Sequence, residues 1–384
     1  MSVKSFRIGL NAHLLSTSET YRGAGISWYI VNLLRNLVQV SPEFLDYYAF
    51  LGDRPFKDDA ALPRLHTSRL PTQRPAIRIF WEQCIQPLAL RRTGVDLLHA
   101  LAFVAPRLAP CPFVVTVYDL SFLRYSEAFR PVNRWYLKHF TTDSVRKARA
   151  VITISESTRR DVIDLLGAAP EKVHTIYCGV DASFRQFPAE QIAAFRAAQG
   201  LPDQFVLYLG TLEPRKNVTG LIRAYARWRE RDVKAPPLIV AGAKGWYYDE
   251  IFQLVESLGL ANAVRFPGYI PQESLPLWYN SASLFVYPSH FEGFGLPVLE
   301  AMACGTPVIT STASSLPEVT GTNGAARLVE PDDTAALAQA LAEVMGQPDL
   351  RDTMSRQGRV RAATFSWQKT ARETVAVYRK VLNV

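Results

Sequence analysis

Two carboxylates, Glu292 and Glu300, stand eight positions apart across a glycine-rich turn in the run His290-Phe291-Glu292-Gly293-Phe294-Gly295-Leu296-Pro297-Val298-Leu299-Glu300. Pro297 suits the first position of a helix, where its missing N–H costs nothing. That places Leu296 at the cap, Glu300 in the first helical turn and Glu292 in the loop before it. Leucine has no side-chain oxygen for the free N–H groups of a helix start, so these groups are open to a ligand. Such a terminus favours an anion, and phosphate is the usual one. A neighbouring carboxylate needs donors, which sugar hydroxyls supply. The chemistry these residues suggest by themselves is a pocket for a phosphorylated sugar. The plainer alternative is a strand–turn–helix corner with two solvated glutamates.

Such a corner needs a strand to carry the turn and a helix to receive it. Ser283-Leu284-Phe285-Val286-Tyr287 is the strand, and the run after Pro297 is the helix. The same alternation extends along the chain. Buried strands are expected at 6–10, 96–99, 113–117, 150–154 and 173–177, with helices over 26–40 and from Ser155 onward. A linker is expected at about 180–195, around Pro188. Beyond it, strands at 204–210, 237–242, 264–266, 308–310 and 326–329 alternate with helices over 217–231, 249–259 and 274–281. Strands separated by helical stretches of about 10–15 residues indicate βαβ units and parallel sheets. Two such domains in tandem imply a ligand cleft at the carboxyl ends of their strands.

The Glu292–Glu300 stretch resembles the E-x7-E signature of the retaining glycosyltransferases of family 4, which adopt the GT-B fold. Gly23-Ala24-Gly25, Leu209-Gly210-Thr211-Leu212-Glu213-Pro214-Arg215-Lys216-Asn217, Val240-Ala241-Gly242, Phe266-Pro267-Gly268-Tyr269 and Gly305-Thr306-Pro307-Val308-Ile309 follow the family's order. The resemblance implies an α/β protein of GT-B form, with two Rossmann-like parallel-sheet domains facing a central cleft. Residues 1–185 would bind the acceptor and residues 195–365 the nucleotide sugar, with a helix over 366–384 returning to the first domain. It implies a retaining, metal-independent hexosyltransferase similar to bacterial mannosyl- and rhamnosyltransferases. GDP-mannose is the first choice of donor; UDP-hexoses and dTDP-rhamnose fit the same motif. The acceptor would be a glycan or a lipid-linked sugar. The same fold would also serve a sugar phosphorylase, a nucleotide-sugar hydrolase or a non-catalytic nucleotide-sugar-binding module.

The resemblance also distributes roles. Arg215 and Lys216, beyond the strand-ending Gly210, would face the departing diphosphate, where positive charge acts mainly in the transition state. Several relatives carry an arginine directly after the loop's first glycine; this chain has Thr211, so either Arg215 takes over that role or the loop is arranged differently. Glu300 would hold the ribose hydroxyls. Glu292 would hold the transferred sugar, with the backbone N–H groups of Gly293, Phe294 and Gly295 beside it and Leu296 at the helix start. In the first domain the family's strand-end histidine is replaced by Tyr118, with Asp119 next to it and His99 a second possibility. Gly23 and Gly25 would lie against the diphosphate or sugar.

Composition agrees with an ordinary globular chain: 384 residues, 48% apolar and 20% charged, enough for two domains. No apolar run approaches the roughly 18 residues of a membrane span, and no signal-peptide core forms near the amino terminus. Cys84, Cys111, Cys178 and Cys304 are scattered without metal-ligand spacing, so a reducing cytoplasm is expected. No His/Asp/Glu cluster suggests a metal, and no cofactor is expected beyond the donor itself. The net charge of +8 lies wholly in the first half, where residues 1–187 hold 24 Lys and Arg against 16 Asp and Glu. Two stretches there mix basic and aromatic residues. One runs from Arg74 through Arg78, Phe80 and Trp81 to Arg91-Arg92; the other holds Arg130, Arg134, Trp135, Tyr136, Lys138, Arg146, Lys147 and Arg149. An anionic membrane surface or a diphosphate-linked acceptor explains this better than nucleic acid does, with the protein peripheral on the cytoplasmic face.

Overall fold

The described residues of the first half form seven strands: β1 (Phe6–Asn11), β2 (Leu45–Leu51), β3 (Arg64–Thr67), β4 (Leu97–Ala100), β5 (Phe113–Val117), β6 (Ala150–Thr153) and β7 (Val173–Thr175). They pair in parallel in the order β3-β2-β1-β4-β5-β6-β7. Every residue of β4, β5 and β6 is buried, as in a parallel sheet with helices on both faces. Six strands follow in the second half: β8 (Val206–Leu209), β9 (Leu238–Ala241), β10 (Val264–Gly268), β11 (Leu284–Tyr287), β12 (Val308–Ser311) and β13 (Arg327–Val329). These too are parallel, in the order β10-β9-β8-β11-β12-β13. This computed structural model describes residues 5–15, 25–52, 62–68, 70–72, 74–125, 131–245 and 248–384. Gly23 and Arg130 lie outside the described residues.

Contacts divide the chain into two units, Met1–Gly179 with Ser366–Val384, and Val180–Phe365. In each unit the chain winds outward from its first strand and then returns to that strand's other side. The order therefore reverses between β1 and β4, and again between β8 and β11. Ligands of open parallel sheets bind outside the carboxyl ends of the strands at such reversals.

The segment expected as a linker carries a helix instead, Ala189–Gln199, and the division falls earlier, between Gly179 and Val180. That helix has no buried residue, so it shows no apolar periodicity for a sequence reading to detect. Edge strand β3 was hidden for a similar reason, since Arg64, His66 and Thr67 are exposed. The last helix, Trp367–Leu382, is capped by Ser366, whose hydroxyl accepts the Lys369 N–H at 3.2 Å. It packs in the first unit, where Thr370 Oγ1 donates to the Tyr177 carbonyl at 2.7 Å. Only glycine fits at position 179, because a Cβ there would lie 2.2 Å from the Trp367 nitrogen.

Candidate active site

At the reversal in the second unit, β8 runs through Gly210 into a single 3-10 turn, Pro214–Lys216, ahead of the helix Val218–Arg231. Asn217 joins turn to helix in a left-handed conformation (φ 57°), which asparagine tolerates better than most residues. Its amide donates to the carbonyls of Pro288 at 3.1 Å and Pro331 at 2.6 Å, fastening the turn to the loops after β11 and β13. Gly242 lets the β9 end lie directly on this loop, since a Cβ there would sit 1.9 Å from the Gly210 oxygen.

The turn brings Arg215 and Lys216 to Glu292, beyond the end of β11. Lys216 Nζ donates to Glu292 Oε1 at 2.6 Å and to Tyr287 Oη at 2.8 Å. Arg215 donates to the Phe291 carbonyl at 2.6 Å, to Glu213 Oε1 at 2.7 Å and to Glu292 Oε2 at 3.5 Å. Lys216 and Glu292 are 8% and 7% exposed. The two cations suggested by the sequence are therefore balanced by Glu213 and Glu292 rather than bare. Glu213, missed from sequence, sits two residues before Arg215 in the same loop. Burial pushes the Glu292 carboxyl up, but the Lys216 and Arg215 charges more than reverse this and hold it below the usual carboxylate range. Burial, with the Arg215 charge, holds the Lys216 ammonium below the usual lysine range. An ammonium has three donors. Two go to Tyr287 and Glu292, and the third finds no partner among the described residues.

The helix after the glycine-rich loop, Leu296–Ala303, starts one residue earlier than the sequence suggests, with Gly295 at the cap (φ 108°) and Leu296 as its first residue. No side chain caps it, unlike the helices begun by Ser155, Asp333 and Ser366. Its open end is narrower than expected. The Val298 and Leu299 N–H groups both return to the Gly295 carbonyl, at 3.0 and 3.2 Å. Pro297 has no N–H, so the N–H groups of Gly295 and Leu296 are the ones left without a partner there among the described residues. Glu300 consequently falls in the second turn, not the first. It is 7% exposed, and Tyr279 Oη donates to its Oε2 at 3.0 Å. Burial raises its pKa to about 7 despite that bond, and the Asp181 charge adds to the rise. Neither glutamate is a solvated corner residue.

The Glu292–Phe294 backbone is held by serines after β12. Ser314 Oγ accepts the Glu292 N–H at 2.8 Å from a left-handed residue (φ 49°). Ser315 Oγ donates to the carbonyls of Phe294 at 2.8 Å and Glu292 at 3.0 Å. No motif marked these serines, because hydrogen bonds to backbone leave no pattern at the distant partner.

The first-unit candidates are engaged within that unit. Tyr118 is 6% exposed, and its hydroxyl donates to the Leu101 carbonyl at 2.7 Å. Asp119 Oδ1 accepts the Ser121 N–H at 2.8 Å. His99 is fully buried between Tyr378 Oη at 2.6 Å and Thr116 Oγ1 at 2.8 Å. Burial lowers its pKa to about 3, so it stays neutral and ties the last helix to the sheet. Gly25 stands before the helix Ile26–Val40 with φ 49°, and its carbonyl accepts the Tyr29 N–H at 2.9 Å.

Two parallel-sheet Rossmann-like units, the second with charged side chains gathered at its strand reversal, define a protein of the GT-B class. The similarity is extensive. A sucrose-phosphate synthase from Thermosynechococcus elongatus superposes with a TM-score of 0.78 at 24% identity, covering 98% of this chain and 99% of that one. HepE of Anabaena, solved with UDP and glucose, superposes with a TM-score of 0.74 at 19% identity, covering 97% and 99%. Residues 23–184 match the family described as Glycosyltransferase Family 4, and residues 191–361 match Glycosyl transferases group 1. The O-antigen chain mannosyltransferase B of Escherichia coli is 35% identical over 269 residues, 69% of this chain and 70% of that one. The chain belongs to the family 4 glycosyltransferases.

Proposed function

We propose that this glycosyltransferase moves mannose from GDP-mannose to a glycan or lipid-linked acceptor, with retention at the anomeric carbon. The observation that carries the reading is the buried Lys216–Glu292 pair, backed by Arg215, at the reversal between β8 and β11. Mannose rests on the similarity to a mannosyltransferase, and GDP on the resemblance of the Leu209–Asn217 loop to mannosyl- and rhamnosyltransferases. An arriving diphosphate takes the unpartnered third N–H of Lys216 and competes with Glu292 for the others. Glu292 is then released to accept hydroxyl hydrogen bonds from the sugar, while Glu300 accepts from the ribose. As the bond from the anomeric carbon to the phosphate oxygen breaks, charge gathers on that oxygen beside Lys216 and Arg215, where fixed cations stabilise the transition state most. The acceptor oxygen bonds to the same face of that carbon, and its proton passes to the departing phosphate oxygen.

A thermal-shift screen of nucleoside diphosphates tests the donor. GDP at a hundredfold excess over its dissociation constant should stabilise by about 2.7 kcal/mol. A larger shift with UDP would overturn the choice of GDP, and binding without transfer to any acceptor would favour a non-catalytic module. Ser314→Ala should lower kcat about tenfold with nucleotide affinity nearly unchanged, because the buried Glu292 N–H loses its acceptor and the loop loosens. If Ser314 only fills space, steady-state kinetics will show no such split.

The basic first unit supports association with an anionic membrane. In the helix Pro131–Lys147, Val132 and Trp135 are 77% and 57% exposed, and Arg134 and Lys138 lie beside them. No helix among the described residues is long and apolar enough to cross a membrane, so the contact would be peripheral. Flotation with vesicles rich in anionic lipid should carry the protein, and Trp135→Ser with Val132→Ser should release it. Equal flotation with neutral vesicles would contradict this.

A further inference from the structure

Glu213 is a buried carboxylate that no step of the proposed reaction uses. It is 5% exposed. Its Oε1 accepts from Arg215 Nη2 at 2.7 Å, and the side chain has no other hydrogen bond or ion pair among the described residues. A buried ion pair is weak evidence for stability, since apolar side chains of the same volume often serve as well. Its place two residues before Arg215 therefore calls for another reason.

The backbone that presents Glu213 is anchored on both sides. Leu212, just before it, pairs with the segment after β9: its N–H donates to the Ala243 carbonyl at 2.9 Å, and its carbonyl accepts the Gly245 N–H at 3.1 Å. Glu213 itself is extended (φ −144°), and its carbonyl accepts the Lys216 N–H at 3.0 Å to close the turn. Beyond the turn's proline, the Arg215 carbonyl accepts the His290 N–H at 2.9 Å. Both partners of the Glu213–Arg215 pair thus hang from fixed main chain.

Arg215 has two carboxylates within reach. Nη2 donates to Glu213, while Nη1 donates to the Phe291 carbonyl at 2.6 Å and reaches Glu292 Oε2 at 3.5 Å. With both prongs of its fork tied, a long and otherwise mobile side chain is left one orientation. Without Glu213, the carboxylate left to the guanidinium is Glu292, and the two would close on each other. Glu292 would then be gripped by Arg215 as well as by Lys216, which already donates to it at 2.6 Å.

We propose that Glu213 is a positioning residue: it holds the Arg215 guanidinium to one side, so that Glu292 is left to Lys216 and to the hydroxyls of the sugar. Glu213 touches no substrate in this arrangement and acts through Arg215. Its influence on turnover rests on the transferase reading; the hold on Arg215 does not.

Two variants of the full chain test it. Glu213→Met keeps the volume and removes both charge and acceptor; Glu213→Gln removes the charge but keeps an oxygen that accepts from the guanidinium. Nitrogen-15 NMR of the arginine side chains reads the hold directly, with the Arg215 signal assigned by its absence from Arg215→Lys. Slow rotation about the Cζ–Nη bonds should resolve the Arg215 Nη protons in the wild type, and they should merge in Glu213→Met. Turnover of GDP-mannose, with α-linked mannobiose or water as acceptor, reads the consequence. In Glu213→Met kcat should fall about tenfold to a hundredfold, the loss of one charge-assisted hydrogen bond, and Glu213→Gln should recover most of it. GDP affinity should not fall in either variant, because the carboxylate removed is itself an anion beside the diphosphate. In an Arg215→Met background, Glu213→Met should cost less than about threefold more, since nothing remains to be positioned. If Glu213→Met does not fold, Glu213→Asp, whose carboxylate falls short of the guanidinium, takes its place in the NMR and turnover comparisons. Merged Arg215 signals in the wild type, equal turnover losses in the methionine and glutamine variants, a full loss in the Arg215→Met background, or GDP affinity falling in step with kcat would each overturn the proposal. A resolved Arg215 signal that depends on Glu213, in a protein that turns over no nucleotide sugar, would sink the transferase reading and leave the hold on Arg215 standing.

Discussion

Replacing Lys216 with methionine should lower kcat by about two to three decades and destabilise the fold by about 3–5 kcal/mol. Methionine keeps most of the apolar stem but removes the ammonium, which lies 5.3 Å from the Tyr287 ring centroid and 2.6 Å from Glu292. Glu292 would then lean on the 3.5 Å contact to Arg215, which is shared with Glu213 and the Phe291 carbonyl, and on Ser289. A buried carboxylate that loses its partner is far more costly than the pair was worth. In the wild type, Glu292 titrates below its unfolded value. Its contribution is therefore present above the unfolded pKa and lost as the pH falls through the folded one. In the variant the same carboxyl is pushed up instead, so its charged form works against folding as the pH rises. The stability gap between wild type and variant should accordingly widen from acid to neutral pH. Urea unfolding at several pH values, with kcat on the same samples, checks both parts. Activity within tenfold of wild type would remove Lys216 from the reaction.

Glu300→Gln should move stability and function in opposite directions. The Glu300 carboxyl, with a pKa of about 7 in the fold against an unperturbed 4.5, binds its proton more tightly folded than unfolded. Its ionisation thus erodes stability progressively as the pH rises from the unfolded value through about 7, and the loss is complete above that. The total is about 3 kcal/mol. Glutamine matches the shape without the charge, so the variant should melt several degrees above wild type at pH 8 and level with it near pH 5. Nucleotide affinity should fall by one to two decades at pH 8, since charge-assisted hydrogen bonds contribute roughly 1.5–3 kcal/mol. The wild type should also bind nucleotide more tightly as the pH rises from 6 to 8, and the variant should not. A melting difference that ignores pH, or unchanged affinity, would mean that Glu300 serves only Tyr279.

The elements carrying this chemistry were readable where local signals agree. β5 is a fully buried run of aromatic and β-branched residues, the helix Ile26–Val40 is amphipathic, and both have the limits expected from sequence. The glycine-rich turn and its two glutamates stood out because few residues suit such a corner. Other features depend on partners far away in the chain. Lys216 meets Glu292 across 76 residues, and nothing local says that a lysine in this loop will be neutralised by a carboxylate so far along the chain. Glu300 was assigned to the first turn because proline at the second helical position is as acceptable as at the first, a one-residue ambiguity that moved the carboxyl into the second turn. The helix Ala189–Gln199 buries no residue, so no apolar period marks it in the sequence.

A crystal structure of the full chain with GDP bound is the most direct measurement of the central claim. The account predicts phosphate oxygens within hydrogen-bonding distance of Lys216 Nζ and ribose hydroxyls donating to Glu300. A nucleotide bound elsewhere, with Lys216 still closed on Glu292 and Glu300 touching only Tyr279, would contradict it.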